Sequence, residues 1–248
     1  MQAATIELGF LSIFVLITFF IFLFINKYSN NFKNGVLLDQ DFSKPQAFHD
    51  KAISRSGGIA SVISLTIFFG IYYLLYSKIL YEYIYICISL FFIGYLDDIK
   101  IKINPNIRLI LMIISLTILI NILPIKIVNI DLIFLNLWLH NQIFSTIFIV
   151  LCFLFMINGA NLIDGFNGLL TINLIIINSI LLYINISNGN NEFSIFLIAQ
   201  LIILLSFLLF NFPNAKIFLG DSGSYLIGSL VALNSIITNN LNPNYSSF

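Results

Sequence analysis

The sequence predicts an all-α fold, a polytopic transmembrane helical bundle of about eight spans. Three observations carry that reading. Hydrophobic residues make up 59% of the 248 and charged residues only 9%, and the mean hydropathy is +1.01. A soluble domain of this length cannot cover so much apolar side chain with so few charges. The apolar residues also fall in long runs, and about 20 of them cross a hydrocarbon core of about 30 Å. In lipid every backbone N–H and C=O needs an internal partner, which makes helices the default form of such runs.

Taken in order, the candidate spans are Ile6–Ile25, Ile59–Tyr76, Ile79–Leu96, Ile107–Leu123, Ile143–Ile157, Leu169–Ile186, Phe193–Phe212 and Ser224–Thr238. The first run is too long for a cleavable signal, and no small-residue cleavage site precedes Lys27. The fifth and eighth are short and have to borrow flanking residues or sit in thinner surroundings. Between the fourth and fifth, Pro124–Gln142 carries the single Trp138 among alternating apolar residues and fits a strand pair or an interfacial helix. Neither a repeat nor a linker divides the chain, so residues 1–248 read as one membrane-embedded domain. Cys87 and Cys152 each lie inside an apolar run, which argues against a disulfide or a metal site built on them.

Charge sets the orientation. If the loops alternate sides, one side receives Lys27, Lys33, Lys44, Lys51, Arg55, Lys100, Lys102, Arg108 and Lys216, and the other only Lys78 and Lys126. The basic side is cytoplasmic by the positive-inside rule, so the N-terminus starts outside. The formal net charge of zero argues against a nucleic-acid surface.

Four polar patches fall on that cytoplasmic side. The first loop ends in Arg55-Ser56-Gly57-Gly58, preceded by His49. Glycines there let backbone N–H groups approach a ligand, and a planar guanidinium suits a phosphate. Gly94-Tyr95-Leu96-Asp97-Asp98 closes the third span with two adjacent carboxylates. Anions at the C-terminal end of a helix oppose its dipole, so the pair calls for a cation, and Mg²⁺ with phosphate oxygens is the natural candidate. Asn158, Asn161 and Asp164 recur three residues apart, share one face of a helical turn, and are followed by Gly165 and Gly168. Finally, Gly220-Asp221-Ser222-Gly223-Ser224 sets a carboxylate between glycines at the start of a span, in the manner of an anion and metal cradle. Convergence of such patches at one membrane face points to a site open to the cytoplasm.

Together these stretches resemble the polyprenyl-phosphate N-acetylhexosamine-1-phosphate transferase family, glycosyltransferase family 4, whose members include phospho-N-acetylmuramoyl-pentapeptide transferase. The motifs His49…Arg55-Ser56-Gly57-Gly58, Gly94-Tyr95-Leu96-Asp97-Asp98, Asn158-x-x-Asn161-x-x-Asp164-Gly165-x-x-Gly168 and Gly220-Asp221-Ser222-Gly223-Ser224 occur in the family's order. Ser54 stands where the family usually has proline. The chain is C-terminally short relative to that family, whose last cytoplasmic loop carries a basic, histidine-containing motif.

The resemblance implies a reaction in which polyprenyl phosphate attacks the β-phosphorus of a UDP-N-acetylhexosamine. The products are a polyprenyl-diphospho-sugar and UMP, at the first membrane step of a cell-envelope polysaccharide such as O-antigen, teichoic acid or peptidoglycan. It implies the cytoplasmic membrane of a bacterium, Mg²⁺ or Mn²⁺ as cofactor, and room for a homodimer. Asp221 is then the expected metal ligand, and Asp97 and Asp98 the catalytic pair that orients or deprotonates the lipid phosphate. Asn158, Asn161, Asp164 and Gly220 are expected to hold the nucleotide sugar, and Arg55 and His49 to meet phosphate. The competing classes are a transporter, which would place acids at mid-span where this chain has Asn173, Asn178 and Gln200, and an inactive truncated relative with a structural role.

Overall fold

The computed structural model describes residues 2–29, 37–39, 52–99, 101, 103–123, 125–130 and 132–244. Among these, nine helices dominate: α1 (Gln2–Tyr28), α2 (Gly57–Tyr76), α3 (Tyr81–Asp98), α4 (Pro105–Ile122), α5 (Ile133–Leu139), α6 (Gln142–Ile163), α7 (Leu169–Ser187), α8 (Asn191–Asn211) and α9 (Gly220–Leu241). Each of the eight expected spans is one of these helices, and in the link between α4 and α6, where a strand pair or a helix was expected, the short α5 forms. The chain is a multi-pass, all-α membrane bundle.

Six helices (α1, α2, α4, α6, α7 and α8) are long and apolar enough to cross a membrane by themselves. The other two are α3, which carries Glu82, Asp97 and Asp98, and α9, which is studded with Gly, Ser and Asn. The three acids set α3 apart, and for α9 the position in the bundle explains the difference. The helix α9 is buried along nearly its whole length and packs most extensively on α3 and α6, with α2 and α7 completing its surround. A helix wrapped by other helices faces no lipid and needs no apolar surface. The short fifth span is lengthened, because α6 runs on through Asn158-Gly159-Ala160-Asn161, with Ala160 buried close beside Gly228 of α9.

Side chains fix the ends. Asn104 caps α4 by accepting from the N–H of Asn106, with Pro105 at the first turn, where its missing donor costs nothing. Asn141 caps α6 by accepting from the N–H groups of Ile143 and Phe144. Two short strands, β1 (Leu38–Asp39) and β2 (Ile53–Ser54), pair antiparallel. Ser54 also bridges in parallel to Ile217, so the first loop is tied to the approach to α9.

At the level of the membrane interior, α9 presents Asn234 to three partners. Its amide donates to Asn178 Oδ1 at 3.0 Å and Gln200 Oε1 at 2.8 Å, and its oxygen accepts from the Tyr83 hydroxyl at 2.8 Å. Asn178 and Gln200 therefore serve helix association, and Asn173 lies exposed with its amide on its own helix. Intramembrane hydrogen bonds contribute on average about 0.6 kcal/mol each, up to about 1.7. Asn234→Leu is expected to lower stability by about 1–3 kcal/mol, the sum of three such bonds. Thermal unfolding in detergent reads this, with Asn173→Leu as the silent comparison; equal midpoints would show that the network contributes nothing.

Candidate active site

The site lies where the C-terminus of α3 meets the N-terminus of α9. These two helix ends, and the N-terminus of α2 beside them, approach more closely than any side chain allows. A Cβ on Gly94 would lie 2.6 Å from Ser222 Cα, one on Gly58 would lie 2.5 Å from the Gly223 nitrogen, and one on Gly220 would strike the Asp98 carboxylate at 2.7 Å. Gly220 also has φ +78°, a conformation that glycine adopts without strain.

Asp98 fills the junction. Its carboxylate is buried and accepts from the backbone N–H groups of Asp221 and Ser222, each at 2.9 Å. It therefore caps α9 across the helix boundary, with Arg55 Nη1 3.9 Å away. Asp97 turns the other way and pairs with Arg108 Nη1 at 2.5 Å. The expectation that a cation or substrate must offset the dipole conflict at the end of α3 is corrected here. The N-terminal donors of α9 and two arginines already do so, because the positive end of one helix abuts the negative end of the other.

Two expectations about glycine are corrected for the same reason. The N–H groups of Gly57 and Gly58 donate to the carbonyls of Phe218 and Leu219, at 2.9 and 2.8 Å. Two donors of the Gly220-Asp221-Ser222 cradle, the N–H groups of Asp221 and Ser222, are taken by Asp98. In both places the glycines serve helix packing, and these four backbone donors meet protein.

Asp221 lies in the first turn of α9 with its side chain 27% exposed. The Asn161 amide donates to its Oδ1 at 2.8 Å and to Ser224 Oγ at 3.2 Å, while its Oδ2 lies 4.0 Å from Arg108. Asp164, the residue after α6, joins the same negative field. Burial, with the charges of Asp221 and Asp98, pushes its carboxyl well above the usual range, and Arg55 partly opposes this. Asp98, two residues beyond the expected span, is pushed up to about 7 by burial and by Asp221, against the pull of its hydrogen bonds to Ser222 and Asp221. Carboxylates that raise one another this way form a site that gains from an added cation.

Of the expected residues, Asp97, Asp98, Asn161, Asp164, Gly220, Asp221 and Arg55 come together. Asn158 is exposed, and its amide donates to Leu154 of its own helix at 2.8 Å. His49 lies outside the described residues. Three site members escaped the sequence reading. Asp39 holds Arg55 with a 2.7 Å ion pair, Arg108 bridges towards both Asp97 and Asp221, and the ring of Tyr225 lies 5.5 Å under the Arg108 guanidinium. Only Arg108 left a signal, a basic residue one turn into a helix opened by Asn104-Pro105.

Residues 80–239 match the model of Glycosyl transferase family 4, a stretch that holds every one of these residues except Asp39, His49 and Arg55. The chain is 35% identical over 106 residues to a phospho-N-acetylmuramoyl-pentapeptide-transferase of Staphylococcus carnosus, covering 43% of this chain and 33% of the relative. It is 38% identical over 100 residues to the enzyme of that name from Streptococcus mutans, covering 40% and 29%. A third, from Leuconostoc mesenteroides, is 41% identical over 80 residues, covering 32% and 25%. The chain thus spans a third or less of the length of these relatives. Its family follows from the long match and from the motifs gathered at one end of the bundle: the chain belongs to glycosyl transferase family 4.

Proposed function

We propose that this chain carries the catalytic mouth of an enzyme that transfers a sugar 1-phosphate from a UDP-N-acetylhexosamine to polyprenyl phosphate and releases UMP, at a membrane step of bacterial envelope synthesis. One observation carries the reading: Asp97, Asp98, Asn161, Asp164 and Asp221, from three separated segments, gather at one end of the bundle with Arg55 and Arg108 among them. If the loops alternate sides, most of the Lys and Arg residues in the sequence fall on that side, which favours a cytoplasmic mouth and an outer N-terminus. A soluble nucleotide sugar reaches it from the cytoplasm, and a lipid phosphate arrives sideways between helices.

The donor set suits magnesium. Among the described residues no group of three His, Cys, Asp or Glu side chains forms a ready metal cage. Mg²⁺ needs none, since it is held by one or two carboxylates together with phosphates and water. Asp221, part-exposed and steadied by Asn161, would be the main protein ligand. When bound, the ion would supply charge neutralisation of the diphosphate and the departing UMP. Arg108 and Arg55 stand ready for phosphate oxygens. Asp97 orients the attacking lipid phosphate rather than deprotonating it. A phosphate monoester loses its second proton at about 6, so the nucleophile is already ionised at neutral pH and needs no base.

Membranes holding the chain, supplied with polyprenyl phosphate, Mg²⁺ and each of several radiolabelled UDP-N-acetylhexosamines, are expected to move label into lipid with release of UMP in equal amount. Uptake of intact nucleotide sugar without UMP would favour a transporter. Folded protein that labels no lipid with any donor would overturn the proposal.

A further inference from the structure

We propose that the two adjacent acids divide their work: Asp98 is a positioning residue that sets Asp221 from behind, and only Asp97 faces the substrate. The inference rests on the reaction proposed above and adds a role within it. Consecutive residues on an α-helix project about 100° apart, so a pair at the end of α3 cannot aim at one target. Asp97 points towards α4 and Arg108. Asp98 points into the junction with α9, where its side chain has no exposed surface.

Both Asp98 oxygens are engaged. Oδ1 accepts from the N–H of Asp221 and Oδ2 from that of Ser222. The Gly220 backbone presses so close that an added Cβ would touch both oxygens, at 2.7 and 2.9 Å. A carboxylate so enclosed has no face left for a diphosphate. Its contacts lie on the very peptide that carries the Asp221 side chain. Asp221 is thus fixed twice, its backbone by Asp98 and its carboxylate by Asn161, which leaves Oδ2 towards Arg108. Two fixed points on one residue amount to preorganisation. A misplacement of about 1 Å at such a residue can slow a reaction about 100-fold.

The experiment compares Asp98→Asn, Asp98→Ala and Asp97→Asn with the wild-type chain in detergent, by amide hydrogen exchange at residues 220–224 and by UMP release. Asparagine keeps one acceptor oxygen for the first turn of α9 and alanine keeps none. Asp98→Ala is expected to speed exchange at Asp221 and Ser222 about tenfold, the local counterpart of a lost helix cap. Its turnover should fall about 100-fold with KM for the nucleotide sugar within about twofold. Asp98→Asn should fall between wild type and alanine on both readouts, and it stands in if the alanine variant does not fold. Asp97→Asn should lose turnover with exchange at Asp221 unchanged. Equal inactivity of Asp98→Asn and Asp98→Ala with wild-type exchange would make Asp98 a direct participant and overturn the proposal. Faster exchange with full turnover would overturn it from the other side. If the wild-type chain releases no UMP, the proposed reaction fails, and the exchange comparison still decides whether Asp98 holds Asp221.

Discussion

Gly94→Ala is expected to abolish turnover and to lower stability by about 3 kcal/mol or more, at the top of the range for overpacked cores. The added Cβ would meet only backbone, the carbonyl group of Asp221 and Ser222 Cα, the latter at 2.6 Å. A side chain can rotate away from a new methyl, but a helix backbone cannot. The helices α3 and α9 therefore have to separate, and that lengthens the two 2.9 Å hydrogen bonds from α9 to Asp98. Stability and function fall together because the packing contact and the site share the same four or five residues. Thermal unfolding in detergent and UMP release measure the two effects. Gly70→Ala is the comparison: an added Cβ there finds nothing within 4 Å, and Ala is the better helix former by about 0.5–1 kcal/mol. A Gly94→Ala protein as stable and as active as Gly70→Ala would refute the close-packed junction.

That junction also shows what the sequence could and could not disclose. The eight helices were legible because lipid demands long apolar runs, and their ends shifted by only a few residues. The helix α9 was found too, yet its polarity reads as a weakness in a lipid-facing span and makes sense only once other helices surround it. The motifs marked the right residues for partly different reasons. Gly58 and Gly223 look from sequence like backbone opened to a ligand, whereas together with Gly94 they let three helices touch. The dipole argument at Asp97-Asp98 was sound for α3 taken alone. It could not foresee that α9 would bring its own N-terminal donors to the same point. Partners far apart in sequence, such as Asp39 with Arg55 or Arg108 with Tyr225, leave no periodic trace, because contact across a bundle depends on the packing of whole helices.

Asp221→Asn tests the chemistry apart from the architecture, and it is expected to cost about 100- to 1,000-fold in turnover, the scale of losing one preorganised electrostatic group. The fold should survive. Asparagine keeps an acceptor for the Asn161 amide, now 2.8 Å from Oδ1, and the backbone N–H of residue 221 still serves Asp98. Stability should hold or rise slightly, because the charge of Asp221 pushes up the carboxyls of both Asp98 and Asp164. Removing that charge relieves both neighbours, and each moves back towards its ordinary range. A loss of activity alongside an unchanged or higher thermal midpoint separates this variant from Gly94→Ala, where both fall. If Asp221 is the protein ligand for magnesium, the concentration of Mg²⁺ giving half the residual rate also rises, since the ion then relies on substrate phosphates and water. Wild-type UMP release from Asp221→Asn would remove Asp221 from the metal site and leave Asp97 and Asp164 as the carboxylates to test.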